Sequence, residues 1–191
     1  MGVPMNRLKQ ETSPRHLVPD VLSPGLDLVF CGTAPSPISF KRRAYYANPG
    51  NSFWSTLHRV GLLPERFEPE RYREVLRHGI GLTDLNKTEY GSDHELTPAA
   101  LDAASVRAKL LAHRPAAVAF TSKNAGGLFF GVRDIGYGRQ PPELVGTLEA
   151  GLHDIAYFVL ASPSGRARSW WRIEPWQEVA AFVEARRRAR R

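Results

Sequence analysis

The stretch LDLVFCG, residues 26–32, decides the fold. Its apolar run carries no polar alternation from Leu28 to Cys31 and stops at Gly32, the pattern of a strand buried on both faces of a parallel sheet. Three further segments read the same way: IGLTDLN (80–86), PAAVAFTS (115–122) and IAYFVLAS (155–162). Helical patterns lie between and after them: NSFWSTLHRVGLL (51–63), FEPERYREVLRHG (67–79) ending on Gly79, Thr97 to His113, KNAGGLFF (123–130) and PWQEVAAFVEARRR (175–188). Thr97 suits an N-cap and Pro98 a first helical turn. Residues 131–143 are rich in Gly and Pro and read as loop. Apolar strands alternating with helices, with no internal repeat, predict an α/β three-layer α/β/α sandwich around a mostly parallel central sheet.

Composition bounds the rest. A chain of 191 residues with 42% hydrophobic content suits one globular domain, expected over 25–191, with residues 1–24 as an irregular arm containing several prolines. No segment approaches the roughly 20 apolar residues of a membrane span, and the start has no signal-peptide core, so a cytoplasmic protein is expected, nucleoid-associated if bacterial. The one cysteine, Cys31, excludes an internal disulfide and any four-cysteine metal site, and it reads as a small core hydrophobe. No metal and no cofactor are expected: no G-x-G-x-x-G follows the first strand, which argues against a dinucleotide enzyme. The net charge of +7 favours a polyanionic partner. Much of the excess sits in the tail ARRRARR, either as cations at a helix C-terminus or as added phosphate contacts.

In a parallel sheet the ligand site lies beyond the carboxyl ends of the strands, here the loops after Gly32, Thr83, Phe120 and Ala161. Those loops carry a resemblance. VPDVL (18–22), LDLVFCGTAPSPIS (26–39), YYANPGNSFW (45–54), GLTDLNKTEYGSDHEL (81–96), FTSK (120–123) and LASPSGRAR (160–168) resemble, in order and spacing, the mismatch-specific uracil/thymine DNA glycosylases of the uracil-DNA glycosylase superfamily. The likeness spans residues 17–170 and implies that family's fold and an enzyme that flips a base out of DNA and cleaves its bond to the sugar. It implies Tyr46 as the aromatic that stacks on the flipped base, the alternative being a ring that merely packs its loop. It places Asn51 as a cap of the next helix, with Phe53 and Trp54 as core. Thr33 and Ala34 would approach the base through their backbone, with Ser36 beside the DNA in place of the family's second glycine. Ser162, Ser164 and Gly165 would form the loop entering the duplex, and Lys123 and Arg168 would be phosphate contacts or solvated charges.

Three departures from the family pattern fall at working positions. Ala34 stands where the family has the asparagine that orients the attacking water, and alanine has no side-chain group to hold one. A superfamily branch that shares this alanine uses an acidic residue just before it, where this chain has Thr33. Asp84 stands where an amide usually reads the base edge, and an ionised carboxylate only accepts hydrogen bonds. It is the candidate group for positioning water or stabilising a sugar cation, with a loop cap as the structural alternative. Asn86 could supply the missing amide; His94, His153 and Asp154 are secondary candidates. Arg166 replaces the family's apolar wedge.

The resemblance thus implies a glycosylase acting on DNA containing uracil, with hypoxanthine, xanthine or other deaminated bases as further substrates; no lysine stands out as a Schiff-base nucleophile, so a monofunctional enzyme is expected, and a monomer. The competing reading is a non-catalytic module that binds damaged or abasic DNA.

Overall fold

The computed structural model describes residues 16–191. A five-stranded sheet forms the middle layer, in the order β2-β1-β3-β5-β4, from β1 (Leu28–Gly32), β2 (Ile80–Asp84), β3 (Ala117–Phe120), β4 (Gly138–Arg139) and β5 (Ala156–Val159). The first four in that order are mutually parallel and β4 runs antiparallel to β5. Both sheet faces are covered, which is why the sequence shows apolar runs rather than alternation. Phe30, Leu82, Ala119 and Phe158 pack into one core, with Phe53, Trp54 and Leu57 of α2 (Phe53–Arg59) and Trp176, Val179 and Val183 of α6 (Glu174–Ala189). Cys31, Val118, Phe120 and Tyr157 face the other core, with Val106 and Leu110 of α3 (Ala103–His113) and Phe129 of α4 (Lys123–Phe130). The α/β/α sandwich is as expected. Burial raises the pKa of the Cys31 thiol, consistent with a packing role.

The helices depart from the sequence reading in detail. Residues Pro69–His78 form a 3-10 helix, closed by Gly79 at φ 66°. The segment from Thr97 is broken: a 3-10 turn over Pro98–Ala100 precedes α3, whose cap is Asp102, accepting from Ser105 N at 2.7 Å. Thr97 and Pro98 open only the short turn, with the Thr97 hydroxyl donating to Glu89 instead of capping, and the carboxylate cap of Asp102 starts the longer helix. The expected loop over 131–143 contains β4 and the start of the short helix α5 (Pro142–Val145). Two residues are too few to show a strand period. The free edge of β4 is blunted by α6, where Glu178 Oε2 accepts from Arg139 N at 3.1 Å.

At the opposite edge, Val21 pairs with Leu82 as an antiparallel bridge, and Leu17 N donates to Lys87 O at 2.9 Å. Val18 and Val21 are buried in the first core. Residues 16–24 thus cap the β2 edge, whereas the rest of the arm expected over 1–24 lies outside the described residues.

The tail arginines fold back on the sheet. Arg187 Nε lies 3.0 Å and Arg190 Nη1 2.8 Å from the carboxylate of Asp27 at the start of β1, and Arg187 also donates to His78 O. Arg188 pairs with Glu184 one turn away at 2.8 Å. From β1 the chain first adds β2 on one side and later β3 on the other, so the crossover direction reverses at β1/β3. This switch point opens a crevice at the strand carboxyl ends.

Candidate active site

A cleft of about 850 Å³ occupies that crevice, within the range of small-ligand sites. The loop after β1 contributes Gly32 to Pro37, the end of β2 contributes Asp84, β3 leads into Thr121 and Ser122, and β5 leads into Ser162 to Ala167 and Trp170. Tyr45, Tyr46, Asn48, Asn51 and the segment Gly91–Glu95 complete the wall. Of the residues singled out in the sequence, Thr33, Ala34, Ser36, Tyr46, Asp84, His94, Ser162, Ser164, Gly165 and Arg166 meet here.

Asp84 forms the floor. It pairs in register with Gly32 across β1 and β2 and is 3% exposed. A Cβ at Gly32 would lie 2.5 Å from Asp84 Oδ1 and 3.3 Å from Tyr46 Oη, so the glycine is required by close approach. Asp84 Oδ2 accepts no hydrogen bond among the described residues, and Lys87 Nζ stands 3.5 Å away as an ion pair. Lys87 is shared: its Nζ donates to Tyr45 Oη at 2.7 Å and pairs with Asp20 Oδ1 at 3.0 Å. Asp20 also binds Lys109 Nζ at 2.8 Å and accepts from Thr83 Oγ1 at 2.8 Å.

Two carboxylates and two lysines therefore form a network under the cleft. Burial raises the Asp84 pKa, with Lys87 opposing and Asp20 adding to the rise. Burial pushes Asp20 in the same direction, but Lys87 and Lys109 outweigh it and its pKa is lowered. The geometry thus separates two carboxylates into one that stays ionised and one that is more basic than usual.

Tyr46 forms the wall. Its ring stacks on Phe53 at 3.7 Å between centroids and 15° between planes, and its hydroxyl shares a hydrogen bond with Thr121 Oγ1 at 3.3 Å. It holds φ at 53°, a left-handed conformation that costs a non-glycine residue about 1–2 kcal/mol. Such strain persists where the surroundings fix it; here the Phe53 stack and the Thr121 contact do so. Burial first, and the Asp84 charge second, raise the Tyr46 pKa, keeping the phenol neutral.

The remaining loops brace one another. Asn51 Oδ1 accepts from Phe53 N at 2.9 Å, opening α2. Ser52 N donates to Pro163 O at 2.9 Å, and a Cβ at Gly165 would lie 3.0 Å from Gly50 O, so the Ser162–Gly165 turn is latched to the Asn48–Ser52 loop. Ser164 Oγ accepts from Arg166 N at 3.4 Å. The Arg166 guanidinium reaches Ser92 Oγ, while Ser92 itself belongs to a capping box with Glu95. Ser36 caps the six-residue helix α1 (Pro37–Arg42), accepting from Ser39 N at 3.1 Å.

Five expected residues lie elsewhere. Asn86, expected as the base-reading amide, does not line the cleft: its Oδ1 accepts from Thr88 N (3.0 Å) and Glu89 N (2.9 Å), and its Nδ2 donates to Glu89. The amide is engaged in holding its own loop, away from the cleft lining. Lys123 is exposed, 3.8 Å from Asp134 and over the Tyr137 ring. Arg168 is exposed on the turn after Gly165, outside the cleft lining. His153 bonds Leu148 O at 2.7 Å, and it and Asp154 are also outside the lining. Asp20, Lys87 and Lys109, the charges that set Asp84, escape a sequence reading because the first is far away in sequence and all three resemble surface residues. Their only local signal is the position of Asp20 in VPDVL and of Lys87 just after GLTDLN.

The fold and cleft define a three-layer α/β protein with a crevice at a strand switch point, walled by an aromatic ring and floored by a carboxylate. Residues 19–186 match the sequence model of the Uracil DNA glycosylase superfamily, and the chain belongs to that superfamily. A similar fold occurs in the solution NMR structure of a "putative Uracil DNA glycosylase" from Methanosarcina acetivorans. That structure is 23% identical with a TM-score of 0.60, over 90% of this chain and 97% of the other.

Proposed function

We propose that the protein is a monofunctional DNA glycosylase that hydrolyses the N-glycosidic bond of uracil, and of hypoxanthine, xanthine or other deaminated bases, in DNA. The observation that carries this reading is the nearly buried Asp84 in a cleft it shares with Tyr46, Thr33 and Ala34, in a chain of the uracil DNA glycosylase superfamily. The flipped base stacks along Tyr46, with the Thr33–Ala34 backbone beside it. With no asparagine at position 34, Asp84 takes the water: its raised pKa makes it a better proton acceptor than an ordinary carboxylate. The water oxygen bonds to C1′ as the C1′–N bond breaks. One water proton passes to Asp84, and the base leaves with the bonding pair as an anion that is then protonated. The transition state is cationic at the sugar, so a carboxylate nearby stabilises it as well. Ser36, Ser164, Gly165 and Arg166 line the strand-binding side of the cleft.

The test is alkaline cleavage after incubation with oligonucleotides carrying uracil, hypoxanthine, xanthine or mismatched thymine. Turnover on at least one is expected, falling by roughly 10²–10³-fold in Asp84→Asn with abasic-DNA binding retained. No turnover on any of the four would sink the enzymatic reading. The lack of a side-chain water ligand at Ala34 favours one alternative, a binding module, which would show tight, salt-sensitive binding to abasic DNA without turnover.

A further inference from the structure

The 3-10 turn Gly165–Trp170 ends in two adjacent tryptophans with opposite fates. Trp171 is half-buried against Trp176, at 5.8 Å between ring centroids. Trp176, on α6, is fully buried and its indole N–H donates to Ala161 O at 3.0 Å, so Trp171 packs on a residue anchored to the exit of β5. Trp170 is 70% exposed and lines the mouth of the cleft. Tryptophan is among the most buried residues on average, so an indole left in water on a pinned turn has a reason to be there.

Its ring stacks on no aromatic side chain and its indole N–H donates to no acceptor among the described residues. The other exposed aromatics near the cleft differ in this respect: Phe40 and Tyr90 stack on each other at 4.4 Å and 9°. Arg166 is committed as well, its guanidinium drawn to Ser92 on the Gly91–Glu95 wall.

We propose that Trp170 is a nucleobase-stacking site, receiving the base that neighbours the flipped nucleotide, while Arg166 acts as a clasp across the cleft and not as the wedge. The inference rests on the glycosylase reading for its ligand. The chemistry is a flat apolar platform offered to a flat base, indifferent to which base it is. The packing of Trp171 on Trp176 supplies the rigidity a platform needs, and the position four residues beyond Arg166 sets it at the rim instead of over the pocket floor.

The experiment measures binding to an abasic duplex with 2-aminopurine next to the abasic site, by anisotropy and by 2-aminopurine fluorescence. Wild type, Trp170→Ala, Trp170→Phe and Arg166→Ala are compared, with circular dichroism as a folding check. Expected are quenching of 2-aminopurine by wild type, a roughly tenfold weaker affinity and loss of quenching in Trp170→Ala, and recovery of most of both in Trp170→Phe. Arg166→Ala should retain the quenching. Wild-type affinity and quenching in Trp170→Ala, with quenching lost in Arg166→Ala instead, would overturn the assignment and leave the glycosylase reading standing. Absence of DNA binding by the wild type would overturn both.

Discussion

Gly32 and Asp84 make the cleft floor a place where one methyl group matters. In Gly32→Ala the new Cβ, 2.5 Å from Asp84 Oδ1, must push the carboxylate or the Tyr46 hydroxyl aside. Overpacking of this kind costs about 1–3 kcal/mol, so a lowered melting temperature and a larger proportional loss of turnover are expected from thermal melts and oligonucleotide cleavage. The proton on Asp84 couples stability and activity in opposite senses. Its folded pKa is raised, so the folded state holds the proton more tightly than the unfolded chain does. Stability from this group falls as pH rises from the ordinary carboxylate value to the raised one, then levels. Turnover should climb over the same window as the accepting carboxylate forms. Denaturant melts should therefore show Asp84→Asn gaining stability relative to wild type as pH rises, and a difference independent of pH would refute the shift. Asp20 has the opposite sign: its lowered pKa gives stability that is lost as pH falls through the folded value. At this scale the sequence was legible for placement, since Tyr46 and Asp84, expected on loops at the strand carboxyl ends, meet in the cleft. It was not legible for Asn86, whose amide is used up by Thr88 and Glu89, because local backbone capping competes with any ligand and leaves no mark on composition.

Among the elements, the four parallel strands were readable as apolar runs, since strands buried on both faces need no alternation. The two-residue β4 and the 3-10 helix Pro69–His78 were not. The first is too short for a period, and the second carries the amphipathic spacing of an α-helix while being held in a tighter coil between Glu68 and Gly79. At the end of helix α6, Arg187 and Arg190 of the basic tail pair with Asp27. Asp27→Asn removes the charge that Arg186, Arg187 and Arg190 share at a largely buried position and should cost about 1–3 kcal/mol, read as a lower melting temperature. Arg187→Ala should lower stability in the same way while leaving the slope of log affinity against log salt for DNA unchanged. A slope reduced by about one would assign that arginine to a phosphate instead.

On the scale of the molecule, two apolar layers clamp the sheet and leave the chemistry to the loops at one end. The loops are pinned to each other: Ser52 to Pro163, Gly165 against Gly50, Gly91 N to Pro35 O at 3.0 Å, and Arg166 to Ser92. The last of these bridges two walls and must part or slide when a strand enters. Ser92→Ala should accordingly speed association with abasic DNA several-fold in stopped-flow mixing with a smaller change in dissociation; an unchanged association rate would show that the bridge does not limit entry.

The segment that covers the β2 edge bears on the cleft in a second way. Val18 and Val21 dock it, and the same docking delivers Asp20 to Lys87 and Lys109. A molecule in which this segment has peeled away keeps its five strands but leaves two lysines facing Asp84 alone. Lys87, released from Asp20, would then be free to hold the Asp84 carboxylate in a firm ion pair, lowering its affinity for a proton and making it a weaker base toward water. Edge protection and proton affinity at the pocket floor are thus one variable: the docking of residues 16–24 on the β2 edge is also what keeps Asp84 basic.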